Sequence, residues 1–134
     1  MRLLALDYGS KYIGVALSDE LQISCRALPA IVNLSRPKQL DTIRELCATH
    51  EVEAIVIGIP LSLDKTEGPQ AKLTKKFAGQ VSRKTGLATI LWDETHTSQA
   101  AEELLTLGKS KNRKDKARLN SAAAQIILSS YLNR

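Results

Sequence analysis

Leu3-Leu4-Ala5-Leu6-Asp7-Tyr8-Gly9-Ser10-Lys11-Tyr12-Ile13-Gly14-Val15-Ala16-Leu17-Ser18 is the stretch whose reading decides the fold. Leu3 to Leu6 is a continuous apolar run and reads as a buried strand that ends on Asp7-Tyr8-Gly9. After a short Gly-Ser-Lys connection, Tyr12 to Ser18 resumes with small and β-branched residues, so the two runs are expected to form a hairpin. A third, weaker strand is expected within Ser24 to Leu34, interrupted near Pro29.

Beyond this meander the period changes. Ser35-Arg36-Pro37 opens a helix that carries Leu40, Ile43, Leu46 and Cys47 on one stripe. Glu53 to Gly58 is a second buried strand type, followed by a loop from Ile59 to Glu67. Gly68-Pro69 starts another helix, with Leu73, Phe77 and Val81 assigned to its apolar side and Gly86 ending it. Ala88 to Trp92 reads as a further buried strand ending on Asp93-Glu94. Thr97 or Ser98 caps a helix through Ala100, Ala101, Leu104 and Leu105 to Gly108. A basic segment follows, then a last helix from about Asp115 to Leu132. Strands separated by helices need right-handed crossovers and lie parallel. The expectation is an α/β, ribonuclease H-like fold, a five-stranded mixed sheet flanked by helices on both faces, with residues 1–134 as a single domain. A Rossmann fold would begin βαβ instead, and fold alone does not fix chemistry.

Composition narrows the classes. With 134 residues and 43% apolar content the chain can build one hydrophobic core. No apolar run is long enough to span a bilayer, and a carboxylate at Asp7 interrupts the N-terminal apolar run before a signal-peptide core forms. A cytoplasmic protein without membrane partners is expected. Cys25 and Cys47 have neither CxxC nor Cys/His spacing and are expected as reduced, partly buried thiols. The formal net charge is +5, and six bases with one acid fall between Lys109 and Arg118. Such a run is either a solvated face or a phosphate-binding edge, where clustered Lys and Arg gain from counterion release. Aromatic content of 4% argues against a platform for stacking unpaired bases.

Two carboxylates stand at strand ends. Asp7 closes the first strand and Glu94 lies just past Trp92, beside Asp93, at the end of the last. Carboxyl ends of strands in such sheets open on the ligand edge. Hard cations such as Mg²⁺ take one or two carboxylates plus substrate phosphate there. An Asp at this place is also a common turn former, and Glu94 or Asp93 also favours a following helix N-terminus. Spacing does not decide between Asp93 and Glu94. Asp7-x-Gly9 with Gly14 is also the kind of phosphate turn used by actin-like ATPases, but those need two such domains. His50 at a helix end complements the helix dipole, and His96 stands near Glu94.

The run Leu6 to Ala16 resembles the opening signature of the YqgF family of pre-ribosomal RNA nucleases, also called Holliday junction resolvase-like proteins. Three further blocks match in order: Ile57-Gly58-Ile59-Pro60-Leu61, Asp93-Glu94-Thr95 with Thr97, and Ala122-Ala123 with Ile126-Ile127-Leu128 and Tyr131-Leu132. The resemblance spans nearly the whole chain. It implies a ribonuclease H-like nuclease that matures the 5′ end of small-subunit ribosomal RNA, with metal-binding acids at Asp7, Glu94 and a third place on the last helix. At that third place this sequence has Asn120 where the family has aspartate, which removes one negative charge from the site. Thr95 replaces the arginine of Asp-Glu-Arg, a bidentate phosphate ligand that Thr cannot reproduce. Lys65 stands where the family often has glycine.

The expected function is therefore a metal-dependent endonuclease using Mg²⁺ or Mn²⁺. Asp7, Glu94 and Asn120 would hold the ion, and Lys11, Lys111, Arg113, Lys114, Lys116 and Arg118 would hold the phosphate backbone without reading sequence. Pre-rRNA within a ribosomal precursor is the expected partner and branched DNA a further one, with the protein monomeric or homodimeric. A non-catalytic RNA-binding ribosome-assembly module and a DNA Holliday junction resolvase are the alternatives.

Overall fold

The computed structural model describes residues 1–9, 12–61, 67–93 and 113–134, with side chains from 121 onward in the last stretch. Five strands form one mixed sheet in the order β3-β2-β1-β4-β5. They are β1 (Arg2–Tyr8), β2 (Tyr12–Ser18), β3 (Cys25–Val32), β4 (Val52–Ile59) and β5 (Ala88–Asp93). β1 pairs antiparallel with β2, and β2 antiparallel with β3, while β4 lies parallel to both β1 and β5. The described helices are α1 (Arg36–Thr49), α2 (Pro69–Thr85) and α3 (Arg113–Leu132). The helix expected from Thr97 or Ser98 to Gly108 lies outside the described residues.

Alternation along the strands divides the core in two. Leu4, Leu6, Ile13, Val15, Ile55 and Ile57 point to α1 and α2, where they meet Ile43, Cys47, Phe77 and Val81. Leu3, Ala5, Ala16, Ala54 and Val56 point the other way, to Ala124, Ile127 and Leu128 of α3. Helices thus cover both faces of the sheet, as the βαβ pattern requires. α3 crosses its face from β3, where Gln125 Nε2 donates to the Cys25 carbonyl at 3.2 Å, toward β5, where Ser130 and Tyr131 meet Trp92.

Four expectations are corrected in detail. Asp7 is the penultimate residue of β1, not its end, because the ladder to β2 continues through Asp7–Gly14 and Tyr8–Ile13. β3 runs on through Pro29, absorbing it as a bulge: Ile13 faces Ile31 whereas Val15 faces Leu28, leaving one extra residue on β3. An edge strand tolerates proline because its outward side needs no donor. Leu73 is not on the apolar side of α2. It is 53% exposed, while Ala71, Thr74, Phe77, Ala78 and Val81 are buried. At 100° per residue Leu73 lies roughly 100° from the centre of that stripe. Finally, α3 begins at Arg113, which draws Arg113 and Lys114 into its first turn.

Other local signals hold. Pro37 occupies the first turn of α1 after an extended Ser35. Gly86 ends α2 with φ of 72°, the left-handed conformation that suits glycine, and its N–H donates to the Ser82 carbonyl. No described helix is long and apolar enough to cross a membrane. Cys25 and Cys47 are free thiols on opposite faces of the sheet.

Candidate active site

β1, β4 and β5 end along one edge of the sheet, and Asp7 stands there. Leu3 and Ala5 of β1 face α3 while Leu4, Leu6 and Tyr8 face α1 and α2, so alternation turns Asp7 toward the α3 face. Its antiparallel partner on β2 is Gly14. On β4, Leu6 is level with Ile57, which brings Gly58 level with Asp7 on the other side. The residues level with Asp7 on both flanking strands are thus glycines. Gly9 then closes the hairpin: its N–H donates to the Tyr12 carbonyl at 3.0 Å, and a Cβ added there would lie only 2.9 Å from the same oxygen. Steric need for a tight turn accounts for the glycine of Asp7-x-Gly9 without any ATPase analogy.

β5 brings the second strand end to the same edge. Ile57 is level with Leu91 and Gly58 with Trp92, so Trp92 and Asp7 are level across β4. Two strand spacings separate them, roughly 9.5 Å. Ile90 and Trp92 pack on the α3 face; Trp92 Nε1–H donates to Ser130 Oγ at 3.1 Å, and its ring meets Tyr131 edge-on at 5.3 Å. Asp93, next in the strand, has the opposite parity and turns to the α1/α2 face. This separates Asp93 from Asp7, a choice that spacing in the sequence leaves open.

Behind Asp7, on the other face, a lock holds the end of β1. Tyr8 stacks on Phe77 with ring centroids 4.3 Å apart. The Arg36 guanidinium lies 5.0 Å from the Tyr8 centroid and 5.1 Å from that of Phe77. It donates to Tyr8 Oη, to Gln80 Oε1 at 2.6 Å and to Gln39 Oε1 at 3.0 Å. β1, α1 and α2 are thereby tied together one residue from Asp7. In the sequence Arg36 signals only a helix start, and nothing in its spacing announces this cluster.

The remaining expected site residues divide as follows. Lys11, Lys65, Glu94, Thr95, His96 and Lys111 lie outside the described residues. Arg113, Lys114, Lys116, Arg118 and Asn120 are on α3, their side chains outside the described set. Ser121, next after Asn120, is 2% exposed, and its Oγ has no hydrogen-bond partner among the described residues. His50 caps α1 at the far end of the sheet, where its carbonyl accepts from Arg2. Among the described residues no group of three or more His, Cys, Asp or Glu converges.

The family model described as RuvX, Holliday junction resolvase, matches residues 1–134. A protein of Carboxydothermus hydrogenoformans, named "Putative pre-16S rRNA nuclease", is 42% identical over 133 residues, covering 99% of this chain and 96% of its own length. A relative of the same name from Syntrophus aciditrophicus is 44% identical, covering 99% and 89%. Among solved structures, Thermus thermophilus RuvC in complex with a Holliday junction substrate superposes with a TM-score of 0.62 at 12% identity, covering 99% of this chain and 96% of that one. The fowlpox virus Holliday junction resolvase gives 0.55 at 11% identity, covering 99% of each chain. At such identities these two structures speak for the fold alone. The full-length family match and the relatives above 40% identity carry the assignment further: this chain belongs to the RuvX Holliday junction resolvase family and is a nuclease, a hydrolase of phosphodiester bonds, on a ribonuclease H-like fold.

Proposed function

We propose that the protein is a divalent-metal-dependent endonuclease that cuts structured RNA in the cytoplasm, at the 5′ end of pre-16S ribosomal RNA. The observation that carries this is the setting of Asp7: a carboxylate at the carboxyl edge of the sheet, turned to the α3 face, between Gly14 and Gly58. Its donor chemistry fits a hard, hydrated cation, which takes oxygen ligands and keeps several waters. Two further residues are proposed for the same ion. Glu94 has the parity of Ile90 and Trp92, the β5 residues that pack on Asp7's face. Position 120 precedes Ala124, Ile127 and Leu128 by four, seven and eight residues, a spacing that shares their helical stripe. Mg²⁺ or Mn²⁺ held by Asp7, Glu94 and Asn120 supplies an activated water and charge stabilisation for in-line cleavage. The chain's own part is to fix Asp7 on β1 and to neutralise the substrate backbone with Lys11, Lys111, Arg113, Lys114, Lys116 and Arg118. The substrate assignment leans on the names of the relatives above 40% identity.

Two substrates and two variants test it: a precursor rRNA fragment and a four-way DNA junction, each with Mg²⁺ or Mn²⁺, against wild type, Asp7→Asn and Glu94→Gln. Cleavage of the RNA, reduced roughly 10³-fold or more by either substitution, is expected. Junction cleavage in its place would move the substrate to DNA. RNA binding without cleavage, indifferent to both substitutions, would favour an assembly module, the reading that Asn120 and Thr95 support.

A further inference from the structure

The basic residues of α2 form a charged surface of their own. α2 carries Lys72, Lys75, Lys76, Arg83 and Lys84, and no acidic residue. Two of these cations are spoken for: Lys75 pairs with Glu67, and Lys84 Nζ lies 2.7 Å from Asp41 Oδ1. Lys72, Lys76 and Arg83 are exposed, with no ion pair among the described residues. At 100° per residue these three fall within an arc of roughly 40°, diametrically opposite the stripe buried against the sheet. They make a straight basic ridge roughly 16 Å long. Gly79 on the same side adds no side chain to it.

Helix stability does not account for this ridge. The partial positive charge at a helix N-terminus favours acids in the first turn, and α2 has none there. Instead Lys72, Lys75 and Lys76 crowd its first two turns, and Lys72 and Lys76 form a like-charge pair at i, i+4, which disfavours the helix. Only Arg83 and Lys84, at the carboxyl end, suit the dipole. Solvated helix faces commonly intersperse charges of both signs. A face of one sign, maintained against the local preference of the helix, fits a polyanionic partner.

The position of the ridge defines that partner more closely. Tyr8, the last residue of β1, stacks on Phe77. Lys72 and Lys76 therefore precede the level at which the strands end, and stand beside the catalytic edge. The ridge lies on the α1/α2 side of the sheet, whereas Asp7 turns to the α3 side. We propose that Lys72, Lys76 and Arg83 bind the phosphate backbone of a nucleic-acid duplex that passes around the carboxyl edge, away from the bond that is cut. This rests on the nuclease reading above, and adds to it a second anchoring surface on the opposite face of the sheet. Because the ridge contacts phosphates only, it confers affinity and orientation, not sequence choice.

The test measures binding without cleavage. Full-length protein carrying Lys72→Gln, Lys76→Gln and Arg83→Gln together is titrated with a blunt RNA duplex, and with the DNA duplex of the same sequence, in EDTA at several salt concentrations. Removing three phosphate contacts is expected to reduce the slope of log affinity against log salt by about 2 to 3, and to weaken binding about tenfold or more at low salt. Lys84→Gln, which removes a cation already paired with Asp41, is expected to leave the slope unchanged. The triple variant is expected to melt at or above the wild-type temperature, which separates lost binding from lost fold. A triple variant with wild-type slope and affinity would overturn the proposal, as would a slope lowered equally by Lys84→Gln. If wild type binds through the ridge but cuts no RNA or junction with Mg²⁺ or Mn²⁺, the surface stands and the nuclease substrate reading falls. Cleavage that depends on Asp7 with no effect of the ridge on the salt slope is the reverse case.

Discussion

On the α1/α2 face the sheet presents Leu4, Leu6, Ile13, Val15, Ile55 and Ile57, and Phe77 sits buried among them. On the α3 face Leu3 and Val56 are joined by the smaller Ala5, Ala16 and Ala54, and Ala124, Ile127 and Leu128 meet them from the helix. Large interlocking side chains give most of the apolar burial to the first face and fix the sheet on α1 and α2. Small ones let α3 lie close on the second, and toward the carboxyl edge that face thins to Gly14 and Gly58 on either side of Asp7. One face carries the larger part of the core; on the other, Asp7 stands between two glycines at the carboxyl edge. The Arg36, Tyr8 and Phe77 lock joins the two, since it braces the end of β1 from behind.

The sharpest way to break this division is Phe77→Ala. It removes a fully buried ring and the stacking partner of Tyr8. A loss of about 3–5 kcal/mol in denaturant unfolding is expected. A loss below about 1 kcal/mol would mean that the α1/α2 face is not the main support. The opposite change tests the opposite face. Ala16→Leu adds bulk where Ala16 is fully buried under α3. Overpacking is expected to cost about 1–3 kcal/mol, by lifting α3 off the sheet. A neutral result would show slack between α3 and the sheet.

The two thiols give a milder comparison. Burial pushes Cys47, on the α1/α2 face, up to about 11 from 9.0. Cys25, half-buried on the other face, is raised by burial and by the nearby Asp19. The folded state keeps the Cys47 proton that the unfolded chain releases near 9.0, so its contribution to stability is whole below that pH. It is lost as pH rises from 9.0 toward about 11. Native protein at pH near 8 is expected to react with a thiol reagent at Cys25 first, with Cys47 protected until unfolding. Equal rates at the two sites would contradict the difference in packing.

Much of this fold is legible along the chain because the signals are local. The apolar run before Asp7, the restart at Tyr12, and the strands that alternate with helices after Ser35 give the mixed sheet directly. Gly86 marks its helix end by a conformation that few other residues accept. What escaped was set by contacts between distant residues. Leu73 fits an i, i+4 series with Phe77 and Val81, but such a series drifts by 40° per step, and the sheet selected the neighbouring stripe. Pro29 stayed inside a strand because β3 became an edge, a fact of strand order. Arg36 gains its role only when α2 brings Gln80 and Phe77 to it. The alternation that separates Asp93 from Asp7 likewise needs the register of β5 on β4. The bases of α2, spread over a whole helix, form no run in the sequence and align only on the folded helix.

Asp7, Glu94 and Asn120 are proposed to hold one divalent ion. A crystal structure of the protein soaked in Mn²⁺, with anomalous scattering used to locate the metal, tests it most directly. An ion bound by oxygens of Asp7 and Glu94 at coordination distance, roughly 2.0–2.3 Å, with Asn120 beside it, is the expected result. A map with no ion at the carboxyl edge, or carboxylates too far apart to share one, would contradict it.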